Sequence, residues 1–221
     1  MDKWRGKEKM CENESKLINL SLELEENKES YEIKEKEFKE EIEEKINAEN
    51  YDFRNCVFEK CQYTKGNFEK SYFSHVIFKN CDLSNSNFSK VAFNEVKFIN
   101  CKLTGTEFIE SDFTNVYINE VNFNYTNLSN SSFKNVKLNK SNLIYSSLNE
   151  CNFKNIEFHN CDLTRVELFK SKLKGIDLSD CNVDGIVVRV EDLKGVIMNE
   201  MQAIQMANLL GIIIKKVNCK S

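Results

Sequence analysis

From residue 53 onward the chain places a large apolar side chain at every fifth position, beginning Phe53, Phe58, Tyr63, Phe68, Phe73, Phe78, Leu83 and Phe88. The series runs without insertion or slip through Ile118, Phe133, Leu148, Leu163 and Leu178 to Met198. Two residues before each sits a mostly small or β-branched residue, as at Cys56, Cys61, Ser71, Val76, Cys81 and Ser86. The other three positions are mainly Asn, Asp, Glu, Lys, Ser and Thr. A helix repeats near 3.6 residues and a strand at 2, so a strict five belongs to neither alone. It marks a coiled repeat architecture. On extended backbone the apolar residue, position i, and the small residue at i−2 share a parity and point the same way, inward. A bend after each pair turns the next i inward again, and four bends close a square circuit of twenty residues.

The twenty-residue period is visible in residue identity. One i−2 column reads Cys61, Cys81, Cys101, Val121, Ser141, Cys161, Cys181, and another Val76, Val96, Val116, Val136, Ile156, Ile176, Val196. One column at i reads Phe53, Phe73, Phe93, Phe113, Phe133, Phe153. Like residues recurring at twenty stack directly above one another. The pattern predicts an all-β quadrilateral solenoid over residues 49–198, with about 7.5 coils counted from Tyr51 and a length of roughly 36 Å at the ladder spacing. Gly105, Gly175, Gly185 and Gly195 fall two residues after i, the corner, where a positive φ is useful.

Segments such as CDLSNSNFSK, SNLIYSSLNE and CDLTRVELFK resemble the A(D/N)LxX motif of the pentapeptide repeat family. The resemblance covers residues 51–198 and implies a right-handed quadrilateral β-helix whose interior is filled by i and i−2. Phe often replaces Leu at i here, and Cys, Ser or Val often replaces Ala at i−2.

Both flanks break the pattern. Residues 1–48 are highly charged, and residues 1–50 carry 16 acidic and 10 basic side chains. Leu17, Leu20, Leu24, Tyr31, Phe38 and Ile42 recur at helical spacings, which predicts a helix from about Ser15 to Ile46. An amphipathic helix needs a surface to cover. Val57, Tyr72, Ile77, Ile99 and Tyr117 are apolar at outward positions and are its candidate docking patch, with the open first coil as the other. At the far end, residues 199–221, Asn199 followed three residues later by Gln202 reads as a capping box opening a short helix to Leu210, with Gly211 as its C′ residue. A strand-like IIIKKV follows. MQAIQMANLLGIII resembles the C-terminal cap of Qnr-type quinolone-resistance members, which closes the barrel and forms a tail-to-tail homodimer. By that resemblance Met206, Leu209, Leu210, Ile212, Ile213 and Ile214 are the dimer-interface candidates.

Composition adds mainly exclusions. Nine cysteines include no CxxC and no Cys/His pairing of zinc spacing, and seven occupy the i−2 slot of a packing residue. No metal or other cofactor is expected. No apolar run reaches the roughly 18 residues of a membrane span, and the N-terminus has no signal-peptide core. The expected location is the cytoplasm. His75 and His159 have no periodic partner at a nucleophile, and a regular solenoid offers no substrate cleft, so no enzyme and no small-molecule substrate are expected. The expected function is a non-catalytic scaffold that binds a macromolecule through its barrel faces. The alternative implied by the Qnr-type resemblance is a DNA mimic that binds DNA gyrase or another topoisomerase and gives quinolone or toxin resistance. Against it, residues 51–198 hold 18 acidic and 18 basic side chains, where a polyanion mimic needs sustained negative potential. Glu107, Glu110, Asp112 and Glu120 are the acidic partner-binding candidates. No direct nucleic-acid binding is expected.

Overall fold

A computed structural model describes residues 19–215. Every strand pairing is parallel and displaced by twenty residues: Ile33 lies beside Phe53, Phe53 beside Phe73 and Phe58 beside Phe78. The all-β quadrilateral solenoid is therefore the observed fold. Two walls carry three-residue strands, which merge into eight-residue strands over Ser132–Asn139 and Asn152–His159, and the other two are joined by single bridges such as Gln62 to Asp82 and Asn67 to Asn87. Six twenty-residue steps take the first wall from Glu32 to Asn152. Isolated bridges continue the stack to Asp177 and Ile197.

The interior is a set of vertical columns. Phe53, Phe73 and Phe93 are at most 1% exposed, and the Phe53 and Phe73 rings stack with centroids 4.8 Å apart and planes within 4°. Phe58 over Phe78 and Phe113 over Phe133 repeat the 4.8 Å spacing, which is the rise of the ladder itself. Where the Phe column on the second wall gives way to Ile118 and Leu138, an apolar void of about 10 Å³ remains, no larger than one water.

The i−2 residues do more than fill space. Ser86 Oγ donates to Tyr63 O at 2.8 Å and accepts from Gly66 N at 2.9 Å. Ser71 and Ser111, two coils apart on another wall, make the same pair of bonds. Cysteine uses the equivalent acceptor: the Sγ atoms of Cys61, Cys81 and Cys101 donate to Phe38 O, Phe58 O and Phe78 O at 3.3–3.4 Å. A hydroxyl or thiol here satisfies a buried carbonyl, which explains why Ser, Thr and Cys share the slot with Val. The orphan among the described residues is Thr104 Oγ1. Ser84 and Thr164, one coil below and three above, donate to Asp82 and Asp162, but Lys102 occupies that place beside Thr104 and cannot accept.

Corners fall at i+2, and nearly all have positive φ whether or not they are glycine: Asn55, Lys60, His75, Tyr125 and Lys140 lie between 48° and 60°. The left-handed conformation is thus a property of the coil, paid back by ladder bonds such as Asn55 N to Ser74 O at 3.0 Å. Asp180 and residue 190 depart from the series, and the chain there turns through a 3-10 segment, Val190–Leu193.

The N-terminal flank differs from the sequence expectation. Its helix, α1, spans only Leu20–Glu26, and the ladder begins at Glu32–Lys34 and Glu37–Lys39, a full circuit earlier than Tyr51. The part of the expected helix before Asn19 lies outside the described residues. Ile33 and Phe38 are buried i residues, and Ala48 is the small i residue of the fourth wall. Glu43 at i, with Lys36 and Glu41 at i−2, hides this coil from an apolar period. Tyr31 and Ile42, assigned above to an apolar helix face, are 48% and 74% exposed.

Candidate interaction surfaces

Filled by its own side chains, the solenoid leaves only its ends and outer walls for chemistry or binding. At the N-terminal end α1 covers the open first coil. Asn19 caps it by accepting from Leu22 N, and Leu20 and Leu24 are buried against the coil. Two carboxylates of the first coil hold it: Glu41 accepts from Leu20 N at 3.1 Å, and Glu43 accepts from Asn19 Nδ2 at 3.2 Å and from Ser21 Oγ. Tyr51 donates to Leu24 O at 2.6 Å, and Lys36 pairs with Glu23 at 2.9 Å. Burial raises the Glu41 carboxyl above the usual range, partly offset by the Tyr63 hydroxyl and the Leu20 N–H it accepts from. None of Val57, Tyr72, Ile77, Ile99 and Tyr117 is a polar partner of α1. These five are half-buried on the outer wall, where Val57 lies beside Ile77 in the ladder and Arg54 covers the Tyr72 ring at 6.0 Å. The unpaired edge at the first coil was the stronger demand for cover.

At the C-terminal end Asn199 and Gln202 form the expected capping box of α2, Glu200–Ala207. Gln202 also reaches back: its Nε2 donates to Leu178 O at 2.8 Å and Cys181 O at 2.7 Å, closing carbonyls that another coil would otherwise satisfy. A 3-10 turn, Asn208–Leu210, ends at Gly211 in the left-handed region. Residues 212–215 form no strand, which corrects the strand-like reading of that segment as far as Lys215; its last two residues lie outside the described chain. Met206 packs on the core, whereas Leu209, Leu210, Ile212, Ile213 and Ile214 are exposed, Ile213 at 86%. With Met201 and Ile204 they leave an unpartnered apolar end.

The walls are dominated by vertical cancellation. Lys60 pairs with Glu40, Lys79 with Glu59, Lys102 with Asp82 and Lys170 with Glu150, each one coil apart at 2.7–3.2 Å. Asparagine amides chain in the same direction, as in Asn155 to Asn135 to Asn115. Glu107, Glu110 and Asp112 wrap one corner of a single coil, all exposed. Glu120 does not join them: two corners further on, it lies diagonally across the square and faces Lys140 at 3.9 Å. The charge that stands out is at the N-terminal end, where residues 19–50 hold twelve acidic and five basic side chains.

Two arrangements bear on catalysis. Sequence reasoning missed that Ser74 Oγ lies 2.9 Å from His75 Nδ1 while His75 Nε2 lies 3.2 Å from Glu95. The serine–histidine–acid order is there, but Ser74 is only 7% exposed, at the end of the ladder strand Tyr72–Ser74, where its hydroxyl is closed to an acyl group. The seven described cysteines are free and buried. Burial pushes the Cys56 thiol up to about 11 and that of Cys151 up to about 12. The neighbouring Cys101 thiol and burial hold Cys81 up at about 12. Thiols so protonated are poor nucleophiles and metal ligands. Among the described residues no group of three or more His, Cys, Asp or Glu could hold a metal ion, and no helix is long and apolar enough to cross a membrane.

A family model described as a pentapeptide repeat region matches residues 51–128, 71–148 and 119–188. The chain belongs to the pentapeptide repeat family. No curated protein sequence matches this pentapeptide repeat protein. Among solved structures it is similar to trypsin-treated QnrB1, a plasmid-mediated fluoroquinolone resistance protein, at 21% identity and a TM-score of 0.52, covering 84% of this chain and 99% of that one. It is also similar to HetL, a pentapeptide repeat protein involved in heterocyst differentiation regulation from Nostoc sp. strain PCC 7120, at 13% identity and a TM-score of 0.36, covering 80% and 96%. At 21% identity the likeness to QnrB1 is one of fold.

Proposed function

We propose that this pentapeptide repeat protein is a non-catalytic cytoplasmic scaffold that binds a macromolecular partner through its barrel faces and pairs tail to tail through its C-terminal segment. The observation that carries the reading is the filled interior: with stacked side chains throughout, only flat, rigid outer walls and two ends remain to meet other molecules. Such pre-organised walls suit protein recognition, because little conformational entropy is lost on docking. The dimer rests on the exposed apolar end formed by Leu209, Leu210 and Ile212–Ile214, together with Met206 beneath it. Sedimentation equilibrium tests it. The chain should behave as a particle of twice 25.8 kDa, and Ile213→Glu should return it to the monomer because a charge would be buried in the interface. A wild-type monomer at tens of micromolar would remove the dimer.

A second reading, the gyrase-directed DNA mimic, is favoured by one observation, the excess of seven negative charges over residues 19–50. In a tail-to-tail dimer those acidic ends would lie at the two tips of the rod, the opposite of a mimic charged along its length. Supercoiling by purified gyrase, with and without a fluoroquinolone, decides it. Protection or inhibition at stoichiometric protein supports mimicry, and no effect at large excess rejects it.

A further inference from the structure

Along one corner of the solenoid the stack of side chains changes character. Residues 65 and 85 are Lys and Asn, 105 is Gly, 125 and 145 are Tyr, 165 is Arg and 185 is Gly. Among the described residues Tyr125 and Tyr145 are the phenol rings at i+2 corners, with φ of 60° and 57°, a conformation unusual for bulky residues that Tyr31 also adopts where the chain enters the coil. Both project outward, 62% and 47% exposed, and their rings stack 5.5 Å apart with planes within 4°. Above them Arg165 lays its guanidinium over Tyr145 at 5.4 Å, and Glu167 follows two residues later on the adjoining wall. The column therefore reads, from the top, guanidinium, ring, ring.

Below Tyr125 the next layer is Gly105, which has no side chain. Among the described residues no ring or cation lies against the lower face of Tyr125. A Cβ added at Gly105 would meet Asn85 Oδ1 at 2.5 Å, so an amide oxygen stands at the floor of this notch. Glu107 stands to Gly105 as Glu167 stands to Arg165: two residues on, exposed on the adjoining wall. Lys102, on the other side, is already paired with Asp82 at 3.2 Å. The notch thus presents a ring face, a hydrogen-bond acceptor and a carboxylate at the opposite end of the ring pair from the arginine that the chain stacks for itself, three layers below it.

We propose that the Gly105 notch receives an arginine side chain of a protein partner, stacked on Tyr125, donating to Asn85 Oδ1 and facing Glu107. The inference rests on the scaffold reading and adds to it the site and the partner's chemistry. Arginine fits better than lysine because its flat guanidinium both stacks on a ring and donates in the plane of the stack. Tyr and Arg are also the residues that most often anchor protein interfaces.

The test is an NMR titration of the isotope-labelled full chain with three capped tripeptides, of arginine, lysine and citrulline. The arginine peptide should shift the Gly105 amide and the Tyr125 ring, and should bind more tightly than the lysine peptide. Tyr125→Asn should weaken it about threefold, the size of an exposed cation–π contact. Asparagine already serves at many corners of this coil, so that variant keeps the fold. Glu107→Gln should weaken both cationic peptides and leave citrulline unchanged. Equal binding of arginine and lysine peptides that is insensitive to Tyr125→Asn would overturn the proposal, leaving a solvated acidic face. So would the absence of shifts at Gly105 up to about ten millimolar peptide. Either result leaves the scaffold reading standing, since that reading falls only with its own dimer and partner measurements.

Discussion

Phe73 is the point at which the packing can be tested most sharply. It is fully buried, stacked on Phe53 at 4.8 Å and Phe93 at 5.4 Å, and edged by Phe68, Phe78 and Phe88 within 6.2 Å. An aromatic residue buries about 150–250 Å², worth about 4–6 kcal/mol at 25 cal/mol/Å². Phe→Ala replacements in cores cost about 3–5 kcal/mol. Two stacked pairs are lost as well, each about 0.5–1.5 kcal/mol beyond area. The cavity cannot collapse easily, because coils above and below are held at ladder spacing by backbone bonds such as Tyr72 N to Tyr51 O at 2.9 Å. Phe73→Ala should therefore cost about 5 kcal/mol. Phe73→Leu, with the residue that occupies this wall later at Leu173, should cost about 1–2 kcal/mol. Urea unfolding followed by circular dichroism measures both, with Phe169→Ala, whose ring is 40% exposed, as a control expected within about 0.5 kcal/mol of wild type. A loss below about 2 kcal/mol for Phe73→Ala would refute the rigid column, because it would mean that neighbouring coils close the gap.

Two further outcomes follow from the thiols and the C-terminal turn. With Cys11 and Cys219 replaced by serine, the seven remaining cysteines should react with a disulfide reagent at pH 8 only as fast as the protein opens, since all are buried and Cys56, Cys81 and Cys151 are held protonated. A thiol that reacts within seconds in the native protein would contradict that. Asp192 is buried at 4% exposure, accepts from Arg189 at 2.6 and 2.8 Å and from Lys170 N at 2.9 Å, and its carboxyl is held below its ordinary value, chiefly by the Arg189 hydrogen bonds. A depressed carboxyl contributes stability that is present above its unfolded value near 3.9 and lost as pH falls through the folded one. Asp192→Asn should lower stability by about 2 kcal/mol at pH 7 and by less as pH falls below about 4. A penalty that does not shrink between pH 7 and pH 3 would show that the carboxylate charge plays no part.

How much of this was legible without coordinates follows from where information sits in the chain. The five-residue period encodes the inward slots, the twenty-residue recurrence encodes which residues stack, and the corner at i+2 was marked by its glycines. All three are local, because each coil repeats the same geometry and meets only its neighbours. The capping box at Asn199 was equally readable, since both of its partners lie within four residues. The first coil was not. Glu41 and Glu43 occupy inward slots because α1 brings the Leu20 and Asn19 donors to them, a pairing across more than twenty residues that no periodicity carries.

The sequence by itself therefore determined the solenoid, its four walls and its register, because a period shared by every coil leaves the side chains one consistent way to point inward. Only the tertiary structure decided where the coil begins, that α1 covers its open end rather than the outer wall, that Glu120 stands apart from Glu107, and that Tyr125 faces a layer whose corner residue, Gly105, has no side chain of its own. Each of these depends on which side chains meet between coils or across an end, and contacts of that kind belong to the assembled stack.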